Sequence, residues 1–338
     1  RMVMINVELK GGAVKEFENG TTPAEIAKSI GAGLYKSVCC AKVDGDLCDL
    51  RTPLEKDCKV ELLTFDNVDG QKTFWHTASH VLAQAVKRLY PNAKCAIGPA
   101  VDNGFYYDFD VEKPFSPEDL EKIKSEMKKI VKSGLELERV ELSPEEAEKK
   151  LEEMNEPYKV ELVKEHSDKG EHITFYKQGE FIDLCAGPHL MSVAPIKAIE
   201  LTACTGAYWR GDANNAQLCR VYGVAFPKAS MLEEHLKKLE EAKLRDHNKL
   251  GRELEYFTTV DYVGQGLPIL LPKGARVVQL LQRWVEDVEQ SKGCLLTKTP
   301  LLAKRDLYKI SGHWDHYLDG MFVLGDPHDE EKECFALR

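Results

Sequence analysis

Two short patterns far apart in the chain, His76-Thr-Ala-Ser-His80 and Cys185-Ala-Gly-Pro-His189, limit what it can fold into. Around the first, Ala78, Val81, Leu82, Ala85, Val86 and Leu89 recur at helical spacing. Residues 75–90 therefore read as a helix with an apolar stripe turned toward a core. The i, i+4 spacing puts His76 and His80 on one face, one turn apart and roughly opposite that stripe. The second pattern cannot be helical, because Gly187 and Pro188 favour a tight turn that projects Cys185 and His189 toward one point. Together the two half-sites offer four soft ligands or proton carriers, and they cooperate only if the turn is folded against the helix. The plain alternatives are a solvated histidine pair and a cysteine buried as a small hydrophobe.

At 338 residues the chain exceeds one ordinary core, so two or three domains are expected. No stretch approaches 18 consecutive apolar residues and the first residues lack the apolar segment of a signal peptide, which argues against a membrane or secreted fate. Ten cysteines at irregular spacing, with no C-x-x-C pair, argue against a disulfide framework and a zinc ribbon and for a reducing, cytoplasmic setting. A net charge of −10 is unpromising for a nucleic-acid binder by totals alone. The lysines of 122–129 alternate with glutamate and read as a solvated helix face.

The chain changes texture three times. Residues 1–65 alternate strand patterns at 4–9, 13–18, 38–43, 47–50 and 59–65 with one helix at 23–30 capped by Thr22, a β-grasp, ubiquitin-like plan. Residues 66–227 read as an α+β domain. It holds the histidine helix, strands at 95–101 and 105–111 around Asp102-Asn103-Gly104, helices started by Ser116-Pro-Glu-Asp and Ser143-Pro-Glu-Glu, and strands near 173–177, 199–203 and 219–225. Residues 228–258 form a long charged connecting helix, and 259–338 begin a further domain with a helix at 275–290 and a strand at 294–299 stopped by Pro300.

The chain resembles the threonyl-tRNA synthetases. The resemblance rests on His76-Thr-Ala-Ser-His80, Ala96-Ile-Gly-Pro-Ala-Val-Asp-Asn-Gly-Phe-Tyr-Tyr-Asp108, Tyr158-Lys-Val160 and Asp183-Leu-Cys-Ala-Gly-Pro-His189. It extends through Thr205-Gly-Ala-Tyr-Trp-Arg-Gly-Asp-Ala-Asn-Asn215, Arg220-Val-Tyr-Gly223 and Ser311-Gly-His-Trp-Asp315. It implies an α+β architecture: a β-grasp TGS domain over 1–65, an editing domain over 66–227, a linker helix over 228–258, and over 259–338 the start of a class II antiparallel-sheet catalytic domain with its motif 1. Such enzymes attach threonine to tRNA(Thr) with ATP and Mg, hydrolyse mischarged Ser-tRNA(Thr), bind the tRNA acceptor end, work in the cytoplasm and form homodimers. The segments that follow motif 1 in the family, with the ligands of its catalytic zinc, are not in this sequence, and Cys334 is not assigned to zinc. The 338-residue chain is therefore expected not to form threonyl-adenylate.

The resemblance further implies that His76, His80, Cys185, His189 and Lys159 are catalytic and that Asp183, Tyr107 and Gly98 bind substrate. The chemistry explains the need. One methyl separates threonine from serine, which yields only about 10- to 200-fold discrimination in binding, so a second site must remove the smaller product. Ester hydrolysis requires an activated water and stabilisation of the oxyanion and the leaving ribose oxygen. The four side chains either hold zinc, which with four protein ligands leaves no open position, or position and deprotonate water directly; the resemblance favours the metal-free form. An RNA-gripping module with a structural His/Cys cluster, and a zinc-dependent hydrolase of simple esters, are the competing readings.

Overall fold

The computed structural model describes residues 3–337. The chain divides into two compact units between Glu241 and Ala242.

The first unit opens with a five-stranded sheet. Strands β1 (Met4–Leu9) and β2 (Val14–Glu18) form a hairpin, helices α1 (Pro23–Ile30) and α2 (Ala32–Ser37) follow, and β3 (Val38–Val43), β4 (Asp46–Cys48) and β5 (Cys58–Thr64) complete the order β2-β1-β5-β3-β4, with β1 and β5 parallel. Helix α1 starts where Thr22 and Glu25 close a reciprocal capping box ahead of Pro23, satisfying N–H groups that the helix itself leaves free. Its Ile26 and Ala27 are buried against Ile5, Val7 and Val60. The result is the expected β-grasp. Helix α2 was not anticipated, since it spans six residues and buries none of them.

The second body of this unit is built on α3 (Val68–Leu89). Short strands β6 (Lys94–Cys95) and β7 (Ala100–Val101) lead into β8 (Gly104–Asp110), then come α4 (Pro117–Ser133), β9 (Leu137–Glu141), α5 (Pro144–Glu153) and α6 (Pro157–Asp168). Strands β10 (Thr174–Gln178) and β11 (Phe181–Leu184) precede the long antiparallel pair β12 (Ala198–Tyr208) and β13 (Gln217–Phe226). One sheet runs β12-β13-β8-β6 with β7 on β8, and a smaller one runs β11-β10-β9. Val81, Leu82 and Ala85 of α3 share a core with Phe105, Tyr107, Phe109 and Val221 of the larger sheet, the packing the apolar stripe predicted. Helices α4 and α5 begin at the expected Ser116 and Ser143, each with a complete capping box.

The periodicity places the histidine face of α3 away from the core, yet His80 is only 2% exposed and nearly all of 73–86 is buried. The second face is enclosed by polar rather than apolar packing. Ser79 donates to the Gly98 carbonyl at 2.7 Å, and Gln84 and Gln178 pair inside the body. The reading of 95–101 as one strand gives way to two short bridging strands. Helix α6 leaves no stripe in the sequence, because only Lys159 and Val163 are buried on it and a single pair makes no periodicity.

The second unit begins within α7 (Ala229–Leu244) and continues with α8 (His247–Glu253). The single connecting helix expected over 228–258 is thus broken at Asp246, whose carboxylate caps α8 through the Lys249 N–H. Strands β14 (Phe257–Thr258) and β15 (Ile269–Leu270) pair, α9 (Pro272–Ser291) covers the predicted helix, and β16 (Leu302–Lys304), α10 (Arg305–Ile310), α11 (His313–Tyr317), β17 (Val323–Leu324) and β18 (Phe335–Leu337) follow. Residues 294–299 form no strand: Leu295 is 91% exposed and the segment has no pairing partner among the described residues. A short apolar run is an ambiguous strand signal without a neighbour to supply the ladder.

Candidate functional site

Three elements of the first unit converge on the two half-sites. Helix α3 carries His76 and His80, the end of β11 delivers Asp183 and then Cys185 to His189, and the first turn of α6 carries Lys159. The Cys185 Sγ lies 3.3 Å from His76 Nε2 and 3.2 Å from His189 Nε2, and the Gly187 N–H donates to it at 3.2 Å. The histidine rings crowd one another, with centroids 4.3 Å apart for His76 and His189 and 4.2 Å for His80 and His189.

The hydrogen bonds fix which ring nitrogens carry protons. Thr77 has one hydroxyl proton, donated to the Thr73 carbonyl at 2.9 Å, and its oxygen accepts the Leu190 N–H at 3.0 Å. The same oxygen lies 3.1 Å from His189 Nδ1, which must then be the donor. His189 Nε2 accordingly turns a lone pair toward Cys185. His76 Nε2 is directed at the same thiol. One thiol proton faces two ring nitrogens.

Burial keeps the cluster uncharged. It lowers His76 to about 4 and His80 to about 3, the nearby Asp183 charge offsetting only part of the effect. His189 falls well below the ordinary histidine range for the same reason. Burial likewise pushes the Cys185 thiol up to about 12, against the opposing Gly187 N–H. Near neutral pH the group is three neutral imidazoles and a thiol, a poor nucleophile in that form.

Beside it sits a buried ion pair. Lys159, with its side chain 5% exposed, places Nζ 2.8 Å from Asp183 Oδ1. The other Asp183 oxygen accepts the Tyr107 hydroxyl at 2.6 Å and lies 3.6 Å from His80 Nε2. Burial alone would raise the Asp183 carboxyl, but the Lys159 charge and the hydrogen bonds from Lys159 and Tyr107 outweigh it and hold it below its ordinary value. Burial would lower Lys159, and the Asp183 charge reverses that shift. Both members stay ionised.

A cleft of about 370 Å³ opens onto this arrangement, lined by His76, His80, Lys159, Asp183, Cys185 and Gly98 with Leu162, Ile173 and Thr174 among its walls. Six of the eight site residues drawn from the sequence therefore face one space. The other two stand behind it. His189 is fully buried under Cys185, and Tyr107 is fully buried under Asp183, where its hydroxyl is already used. Tyr107, which the resemblance implies to bind substrate, therefore stands behind the cleft and supports the Asp183 carboxylate. Gly98 has a steric reason to be glycine: a Cβ there would lie 2.1 Å from the Tyr107 ring. Sequence reasoning missed Thr77, which sits inside the first motif, and Glu156, which holds the start of α6 through Lys87 and the Cys95 N–H. It also missed His166 and His172 at the mouth of the cleft. Only Thr77 had a local signal, its place between the two histidines.

The donor set is compatible with a metal. The four candidate ligand atoms of His76, His80, Cys185 and His189 all lie within 4.8 Å of one another. A tetrahedral zinc with bonds of about 2.0–2.3 Å spaces its ligands roughly 3.3–3.8 Å apart, close to the sulfur–nitrogen distances found here. His80 Nδ1 is buried without a hydrogen-bond partner, the kind of free lone pair a ligand needs.

Comparisons with known proteins agree with this anatomy. Residues 5–64 match the TGS domain, and residues 173–222 match the threonyl and alanyl tRNA synthetase second additional domain. The chain is 59% identical over 335 residues to a threonine–tRNA ligase of Clostridium perfringens, covering 99% of this chain and 52% of the relative. It is 52% identical over 319 residues to that of Acetivibrio thermocellus and 50% identical over 316 residues to that of Caldanaerobacter subterraneus, with 94% of this chain covered in each case. It spans about half the length of the curated relatives it matches.

Proposed function

We propose that the cleft hydrolyses the ester between serine and the 3′ end of tRNA(Thr), the proofreading reaction of a threonyl-tRNA synthetase. The observation that carries this reading is the meeting of an uncharged His76–Cys185–His189 group and an ionised Lys159–Asp183 pair across one open cleft. The similarity to threonine–tRNA ligases along nearly the whole chain supplies the substrate class. If the thiol proton is donated to buried His189, the Nε2 of His76 is free toward the cleft, where it takes a proton from water as the water oxygen attacks the carbonyl carbon. The Lys159 ammonium offsets the charge that develops on the carbonyl oxygen. When the ester bond breaks, the ribose oxygen leaves with the proton that His76 took, releasing serine and a free 3′ hydroxyl.

Cys185 acts here as a donor and spacer, because a thiol held so far up yields little thiolate for direct attack. A zinc ion, if held by His76, His80, Cys185 and His189, would supply Lewis acidity, but four protein donors are the ligand set of a closed, structural site and not of a catalytic one. The reading is therefore metal-free hydrolysis. The domain divisions at 65, 227 and 258, a cytoplasmic location, use of ATP and Mg, threonine as the second amino-acid partner, and a homodimer belong to the same proposal for the whole protein. Among the described residues no helix is long and apolar enough to cross a membrane.

Mixing the purified chain with Ser-tRNA(Thr) and Thr-tRNA(Thr) tests the proposal. Serine is released and threonine is spared, and His76→Ala and Cys185→Ala each slow release by about 100-fold or more with the fold intact. Unchanged rates in both variants would remove these residues from the mechanism. Stoichiometric zinc in a chelator-free preparation would count against the metal-free form.

A further inference from the structure

The loop that carries Cys185 and His189 is held by the β-grasp module. Asp49 follows β4, and its carboxylate accepts the backbone N–H of His189 at 3.1 Å and the Tyr176 hydroxyl at 2.8 Å. Arg51 reaches across the same junction. Its guanidinium donates to the carbonyls of His189 at 3.3 Å, Leu190 at 2.7 Å and Leu137 at 3.0 Å, and pairs with Asp49 at 3.0 Å. Tyr176 completes the clamp from below. A Cβ on Gly187 would fall 2.3 Å from its hydroxyl, so the loop is pressed directly onto the ring, and Gly187 adopts φ +76, a conformation glycine tolerates.

Both backbone polar groups of His189 thus go to the β-grasp module, and its Nδ1 goes to Thr77. With the main chain and one ring nitrogen fixed, the direction of Nε2 toward Cys185 is set from outside the cleft. Asp49 is 7% exposed, and neither it nor Arg51 lines the cleft. We propose that Asp49 and Arg51 are positioning residues of the hydrolytic site, so that the β-grasp module is a working part of it and not an independent appendage. The inference rests on the hydrolytic reading above. A guanidinium with several donors in a rigid fork suits three convergent carbonyls, a task an ammonium cannot perform alike.

The test uses the full chain with Asp49→Asn, which keeps the shape, and Arg51→Ala. Single-turnover and steady-state deacylation of Ser-tRNA(Thr) should show kcat reduced about 10- to 100-fold with KM unchanged, since small misplacements of a reacting group cost rates of this order. Added guanidinium chloride at millimolar concentration should restore part of the Arg51→Ala rate, and methylammonium chloride should not. Rates within about threefold of the parent in both variants, or an effect confined to KM, overturn the proposal. If the unaltered chain releases no serine, the hydrolytic reading fails, and the clamp is then judged by 15N histidine NMR. A His189 Nδ1–H signal that moves in Asp49→Asn while that of His235 stays put supports it, and an unmoved His189 signal overturns it.

Discussion

A buried carboxylate keeps its charge only when every lone pair facing the interior has a partner, and Asp183 shows how tightly that accounting is met. Lys159, Tyr107 and His80 surround it, and Tyr107 is in turn fixed by the absence of a side chain on Gly98. Tyr107→Phe removes one donor from a buried anion and should cost about 1–3 kcal/mol in urea unfolding while slowing Ser-tRNA deacylation. Gly98→Ala places a methyl group inside the Tyr107 ring and should cost a similar 1–3 kcal/mol, roughly the cost of overpacking. If Gly98→Ala adds no further loss when Tyr107 is already replaced by Ala, the clash with the ring is the cause. The site residues themselves were readable because His76, His80, Cys185 and His189 fall in two short patterns that a helix and a turn must each present together. Asp49 and Arg51 were not readable. Their partners are backbone groups of Leu137, His189 and Leu190, and a backbone carbonyl leaves no mark in a sequence.

Elements were legible where the chain punctuates itself. Ser116 and Ser143 each open a helix through the same reciprocal bond pattern, so Ser116→Ala and Ser143→Ala should each lose about 1 kcal/mol of stability in chemical unfolding. The helix that carries Lys159 lacks such a signal: Glu156 at its start makes no side-chain cap, and its one functional residue is a lysine buried by tertiary contact alone. The strand expected at 294–299 failed for the opposite reason, a strong local pattern with no neighbour to pair with. Packing between elements also sets a pH signature. Arg88 on α3 donates to Glu180 in the turn between β10 and β11 and holds that carboxyl at about 2, below its ordinary 4.5. A depressed folded-state value gives stability that is complete above about 4.5 and is lost as pH falls toward about 2. The stability gap between the parent and Glu180→Gln should therefore close across that window. Because the Glu180 side chain is 58% exposed, the gap should stay within about 1 kcal/mol.

At the scale of the whole molecule, the two units differ in how they satisfy their apolar surface. The first owns the main core and every group of the candidate site from Asp49 to His189. In the second, α9 buries only Gly274 and leaves Val278, Leu281 and Trp284 exposed on a helix whose sequence is strongly amphipathic. Apolar faces of this kind drive association when they are contiguous. A chain ended after Glu241 should therefore unfold in one cooperative calorimetric transition and retain the parent's rate of Ser-tRNA deacylation at saturating substrate. It should also sediment as a monomer at concentrations where the 338-residue chain self-associates. Trp284→Glu in the longer chain should weaken that self-association without touching the hydrolytic rate. Loss of deacylation in the shortened chain, with its cooperative transition intact, would mean that the second unit supplies part of the reaction and would overturn the assignment of the site to the first unit alone.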